Sequence, residues 1–531
     1  MVHLLPEIIF HIGEHILRSD LPSCVRVSKD WHAALSGFLY RAIDLSLDRK
    51  SPSCSPCAIR QHIRYLRFLA EFPLEYLNLR ECSQLTTLRL DVSQEYSLVH
   101  NNGQTQVPPS MLHGLTLHSS TTNSRLSAYT RQVVSTLFPA LVQSHAATLT
   151  WITLTCGPIP ESSMLWDAIG SCPKLVGLEL FSLGIPAEQA APFWKICSSI
   201  KSLSVYHCSL PSDEAQLNKA SFPRLEELSW QQVLDFPDNH LLRLLETMPA
   251  LRSFSWQSSD SSNISELIPN GLCRLAELGQ LQSIRSLSFT DPVFTDQVLS
   301  TILRLTEQLT NLSVPSTGFG PLAFGTLREQ GMLSHMKRLC LTACEAVSSR
   351  MIQEILQSCV ALEVLEAETL YSSDILECLG WACGGLRQLT IGIVINSVSP
   401  AQLWRHVVWQ SPHRLNLKAR VEDQETVLGY IASLTRLESL KLKRQDEVDG
   451  LRTALDFGGD KGLTKLATLT QLREFEVPSF SQHMDVPEIE WMIEHWPRLE
   501  TVTGELNVNR IVNRELKEML EKHGIQHRQE V

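Results

Sequence analysis

Residues 175–180 read Leu175-Val176-Gly177-Leu178-Glu179-Leu180, an apolar residue followed three and five positions later by two more. Leu178 and Leu180 alternate around Glu179, the pattern of a short strand with one buried face. The spacing recurs from Leu149, Leu175, Ile200, Leu225, Leu251, Ile284, Leu309, Met336, Leu362, Leu386, Pro412, Leu437, Leu472 and Leu499, mostly at intervals of 24 to 27 residues. Pro412 and Gly504 fill the apolar slots of their copies poorly. A second pattern lies upstream of each strand, with apolar residues 3, 6 or 7, and 10 positions before its first residue, the spacing of one helix face. Before Leu362 these are Cys359, Leu356, Ile355 and Ile352, and before Leu499 they are Trp496, Ile493, Met492 and Ile489.

One strand and one helix every ~25 residues matches the leucine-rich-repeat period. Neither element buries its apolar face alone, so stability has to come from stacking repeats around a continuous core. The expected fold is α/β, a leucine-rich-repeat solenoid with a curved parallel sheet inside and helices outside. The cysteines fall into its register. Cys172, Cys197, Cys359 and Cys383 sit three residues before a strand's first apolar position, and Cys82, Cys208 and Cys344 three beyond its last. Half of the 14 cysteines therefore read as small buried hydrophobes with free thiols, which fits a reducing compartment.

Towards the N-terminus the series is less regular, with candidates at Ile63, Leu74, Leu85 and Leu112; Leu74 and Leu85 are too close for both to begin complete repeats. Polar stretches at 91–110, 118–127, 257–265 and 444–462 read as loops. The run Asn513–His523, with Leu516, Met519 and Leu520 and a stop at Gly524, is expected to cap the last repeat.

Residues 4–45 break the period and read as three short helices. Pro6 suits a first helical position, Ile8, Ile9, Ile12 and Ile16 form a stripe, Asp20 caps a segment with Leu21, Cys24 and Val25, and Ser28 caps one with Trp31, Leu35 and Leu39. The order and spacing of Leu5-Pro6-Glu7-Ile8-Ile9, Asp20-Leu21, Val25-Arg26-Val27-Ser28-Lys29-Asp30-Trp31 and Leu39-Tyr40-Arg41-Ala42-Ile43-Asp44-Leu45 resemble the F-box. Ser28 stands where that family often has Cys, and Tyr40 where it often has Trp. The whole chain is similar to the fungal F-box proteins with degenerate leucine-rich repeats. This resemblance implies an all-α F-box module that binds the Skp adaptor of a cullin-RING ubiquitin ligase. By position the adaptor-binding residues are Leu5, Pro6, Ile8, Ile9, Leu21, Val25 and Trp31. The division implied is an F-box module at 1–47, a linker at 48–62, the solenoid at 63–508, and a capping helix and tail at 509–531. The bland reading, a helical cap packed on the first repeat, stays open.

Other chemistry is weakly signalled. His11-Ile12-Gly13-Glu14-His15 has the spacing of an inverted zinc-peptidase motif, but Gly13 weakens the helix and no third ligand follows. Cys54-Ser55-Pro56-Cys57 is half a zinc knuckle without its second pair. Phosphate loops, nucleophile elbows and paired-carboxylate motifs do not stand out. The expectation is a non-enzymatic chain with no cofactor and no metal, which holds a protein substrate near a ubiquitin carrier and acts by proximity.

Composition narrows the partners. Lys plus Arg number 46 against 57 Asp plus Glu, a net charge of −11 that argues against nucleic acid. Neither a secretory signal nor a run of ~18 apolar residues is visible, so no membrane and a cytoplasmic or nuclear location are expected. On the concave face the residues between buried leucines are candidates for substrate contact: Phe181, Tyr206, Gln231, Gln257, Glu366, Glu368, Lys441 and Lys443, within a ladder that also includes Glu179, Ser204, Ser229, Cys340 and Lys418. Phe181 and Tyr206 are the aromatic anchors, and Glu366 with Glu368 and Lys441 with Lys443 form short patches of opposite sign. Trp230 and Trp256 take buried slots. The alternative from another class is a repeat scaffold with no ubiquitin role.

Overall fold

In a computed structural model of the chain the described residues are 138–155, 164–258, 266–378, 380–395, 417–443, 462–477 and 482–528, with strands at 42–44, 65–69 and 87–91, residues 85 and 86, and a few isolated positions. They fall into two compact units, Met1–Leu251 and Arg252–Val531. The first unit carries β1 (Ala42–Asp44), β2 (Tyr65–Leu69), β3 (Thr87–Asp91), β4 (Trp151–Thr155), β5 (Gly177–Phe181), β6 (Ser202–Tyr206) and β7 (Glu227–Gln231). Each strand pairs with the next in parallel.

The second unit carries β8 (Ser253–Gln257), β9 (Ser286–Phe289), β10 (Asn311–Ser313), β11 (Arg338–Cys340), β12 (Val364–Tyr371), β13 (Gln388–Val394), β14 (Ser439–Leu442), β15 (Glu474–Glu476), β16 (Thr501–Thr503) and β17 (Gln526–Arg528). These too pair in parallel order, with one irregularity between Glu366 and Thr369. Parallel strands alternating with helices make the chain an α/β leucine-rich-repeat solenoid.

The repeat arithmetic explains the core. Leu178, Leu203 and Leu228 share one register position on β5–β7, and Leu180, Val205 and Trp230 share another. All six are at most 4% exposed. Behind them the helix Ala190–Cys197 buries Phe193, Trp194, Ile196 and Cys197. In the second unit the helix Ser349–Ser358 starts at Ser348, whose Oγ accepts the Met351 N–H at 3.3 Å, and buries Ile352, Ile355 and Leu356. Trp256 is buried on β8.

The cysteines occupy the expected positions: Cys172, Cys197, Cys208, Cys344, Cys359 and Cys383 are buried and free, while Cys82 lies outside the described residues. Cys208 Sγ accepts the Leu183 N–H at 3.4 Å, and Cys344 Sγ donates to Val314 O at 3.0 Å. These two thiols thus satisfy a main-chain group of the preceding repeat. Burial pushes Cys172, Cys208 and Cys383 up to about 11 and Cys359 up to about 12.

Some repeat copies fall differently from the sequence pattern. The copy starting at Pro412 lies outside the described residues as far as Leu417, where a helix begins, and β13 pairs directly with β14, Gln388 facing Ser439. Lys418 therefore leaves the ladder and belongs to the helix Leu417–Ala432. Leu74 and Leu112 lie outside the described residues, and β2 pairs directly with β3 and β3 with β4. Among the described residues the first strand of the repeat sheet is Ala42–Asp44, at the end of the segment read as 1–47. At the other end the helix Arg510–Lys522 is followed by β17, so 509–531 contains one more repeat, with its strand after the helix. Gly504 follows β16 at φ 101°, where a Cβ would sit 2.5 Å from Val477 O; only glycine allows that approach. The polar stretches at 91–110, 118–127 and 444–462 lie largely outside the described residues.

Candidate functional site

Among the described residues, the side chains between the buried positions of the strands from β4 onward form a largely half-exposed face opposite the core. On β5 and β6 burial alternates so that Glu179, Phe181, Ser204 and Tyr206 stay partly exposed while Leu178, Leu180, Leu203 and Val205 do not. The chain leaves three successive strands through a left-handed residue, Ser182 at φ 52°, His207 at 53° and Gln232 at 51°. His207 is held below the usual imidazole range by burial.

In the first unit the outermost row of this face runs Thr155, Phe181, Tyr206, Gln231 on β4–β7. Phe181 and Tyr206 stack with ring centroids 4.6 Å apart and planes 5° from parallel, the spacing of two adjacent strands. Gln231 Nε2 donates to Ser229 Oγ at 3.3 Å. The next row runs Thr153, Glu179, Ser204, Ser229, and Thr153 Oγ1 donates to Glu179 Oε2 at 3.0 Å. In the row below, Trp151 lies over Gly177, where a Cβ would meet the indole at 2.2 Å. Sequence reasoning missed Trp151 and Thr153 as members of this face; the signal was a tryptophan in register with a glycine.

In the second unit Gln257 ends β8 half-buried. The row Ser255, Ser288, Ser313, Cys340, Glu366, Thr390, Lys441 and Glu476 is small and neutral at one end and charged at the other. The Cys340 thiol donates to Glu366 Oε2 at 3.3 Å, and burial followed by that carboxylate pushes the thiol up. Glu368 Oε1 accepts the Ala343 N–H at 2.6 Å and lies 3.2 Å from Lys443 Nζ. Lys441 Nζ lies 3.2 Å from Glu474 Oε2. Burial raises the Glu474 carboxyl, but Lys441 outweighs it and holds the group below its usual range. Of the two patches of opposite sign, Glu368 and Lys443 are brought together, whereas Lys441 pairs with Glu474 and Glu366 accepts from Cys340.

Of the adaptor-binding candidates, Trp31 is helical and half-buried, and the neighbouring Leu35 is fully buried. Leu5, Pro6, Ile8, Ile9, Leu21 and Val25 lie outside the described residues, as do the His11–His15 and Cys54–Cys57 segments. Among the described residues no three His, Cys, Asp or Glu side chains gather to hold a metal ion, and no helix is long and apolar enough to cross a membrane.

No family model matches this chain, and no curated protein matches it. Among solved structures it is similar to one described as the crystal structure of the Rad7 and Elc1 complex in yeast, at 13% identity and a TM-score of 0.35, over 70% of this chain and 75% of that one. Likeness at that level assigns no function.

Proposed function

We propose that this chain is a non-catalytic substrate-recognition subunit of an SCF-type ubiquitin ligase. Its N-terminal segment binds the Skp adaptor, and through it a cullin-RING ligase, while the open sheet face holds a protein substrate. What supports the reading is the join between a segment with F-box spacing and a repeat sheet that presents a half-exposed stacked aromatic pair, Phe181 on Tyr206. Rigid aromatics of this kind bury a large area on binding with little loss of rotamer entropy. Acceleration would come from holding the substrate beside a ubiquitin-charged carrier, so the chain needs no reacting group of its own.

One observation favours a second reading, a repeat scaffold without a ubiquitin role. Ala42–Asp44, the end of the F-box-like segment, is the strand β1 paired in parallel with β2, as expected of a cap on the first repeat. Affinity purification of the full chain from cells with the proteasome blocked separates the two. The ligase reading expects the Skp adaptor and a cullin together with ubiquitinated clients. Clients recovered without adaptor or cullin would favour the scaffold.

A further inference from the structure

We propose that the open face of the first unit grips an arginine side chain of its protein client, in a slot over β4 walled by Phe181 and Glu179. The inference deepens the reading of this face as the client-binding surface and rests on it.

Phe181 and Tyr206 are stacked face to face, so one ring face of Phe181 is covered by Tyr206. The other turns towards β4, where its register partner is the small Thr155. Two residues earlier on β5, the Glu179 carboxylate is drawn towards that same strand by the 3.0 Å hydrogen bond from Thr153 Oγ1. Side chains two apart on one strand face lie ~6.5–7 Å from each other. An aromatic plane and an oriented carboxylate therefore converge over Thr153 and Thr155. Beneath them Thr153 is buried, and Thr155 Oγ1 is buried without a hydrogen-bond partner.

A guanidinium suits this pairing better than an ammonium, because it is planar, stacks on a ring face and presents a fork of N–H donors to a carboxylate in the same plane. Charge agrees. The open-face positions of β4–β7 carry two carboxylates, Glu179 and Glu227, and no cation; Glu227 accepts from Ser202 Oγ at 3.0 Å. Among the described residues Glu179 has Thr153 as its partner and no ion pair. β3 places Arg89 in register with Thr153 and Asp91 in register with Thr155; an acidic client segment is the rival outcome of the test.

The test is selection of random peptides displayed on phage against the purified full-length chain. Arginine should be enriched at a fixed distance from an apolar residue. A synthetic copy of a selected peptide should lose about tenfold in affinity when its arginine becomes citrulline, which keeps the plane and drops the charge. Glu179→Gln should cost about the same for the arginine peptide and nothing further for the citrulline one, whereas Glu227→Gln should bind as the natural chain does. Circular dichroism on each variant controls for the fold. No selected peptides, enrichment of acidic residues, or an arginine preference untouched by Glu179→Gln would overturn the slot. Skp adaptor recovery on the same preparations reports separately on the ligase reading, since the slot can fail while adaptor binding holds.

Discussion

A single carboxylate, that of Asp296, accepts the N–H groups of Gly320, Leu322 and Ala323 at 3.0, 2.9 and 2.8 Å, and so caps the helix Pro321–Glu329 of the next repeat. Asp296→Ala should cost about 2–4 kcal/mol in a denaturant titration, because three donors lose a charged acceptor at once. An unchanged midpoint would show that water replaces it. The buried thiols give a pH prediction. Cys172, Cys208, Cys359 and Cys383 titrate in the folded chain well above the ordinary 9.0, at about 11 to 12. A raised folded value means that the neutral thiols' contribution is fully present below pH 9 and is lost as pH rises through the folded values. Stability should therefore hold to about pH 9 and then fall, and at pH 8 these four thiols should resist alkylation until denaturant is added. Rapid alkylation of the native chain would contradict the packing. Their positions were legible in the sequence, because a repeat register repeats its burial. The Thr153–Glu179 hydrogen bond was not, since the repeat pattern puts the two residues on adjacent strands but does not fix their side-chain rotamers.

At the level of the strand, one experiment separates packing from recognition. Leu178→Ala should destabilise the chain by about 2–5 kcal/mol through lost burial and a cavity. Phe181→Ala with Tyr206→Ala, on the opposite face, should leave the fold nearly intact and weaken client capture by about 2 kcal/mol or more. A double variant that unfolds like Leu178→Ala would mean that the faces are reversed. The strand exits offer a gain. Gln232 adopts φ 51° at a cost of about 1–2 kcal/mol for a residue with a Cβ, so Gln232→Gly should raise the denaturation midpoint or leave it level after the glycine's larger unfolded-state entropy is set against that relief. Strand positions were readable wherever a helix signal preceded the apolar pattern. Pro412-His-Arg-Leu415-Asn-Leu417 misled because so short a pattern arises by chance. Val427, Ile431 and Leu434, spaced as one helix face before Leu437, are buried in the helix or the turn after it and identify where that repeat's helix lies. Trp151 over Gly177 escaped notice because the contact depends on strand register, not on neighbours in the chain.

For the molecule as a whole, the period of ~25 residues was enough to define the repeat class, since every repeat states the same strand and helix again. Its ends were harder to read. Terminal repeats depart from the consensus, and both β1 at Ala42–Asp44 and β17 at Gln526–Arg528 lie in segments whose apolar spacing suggested other roles. The identity of the client leaves no trace in such a pattern, because an open face is built from the positions that the fold leaves unconstrained. The central claim concerns the N-terminus, and titration of the purified full-length chain with the Skp adaptor tests it most directly. The natural chain should bind one adaptor per chain, and the variant carrying Leu5→Ala and Pro6→Ala should lose that binding while its circular dichroism stays unchanged. Equal adaptor affinity for both chains, or none for the natural chain, would contradict the account.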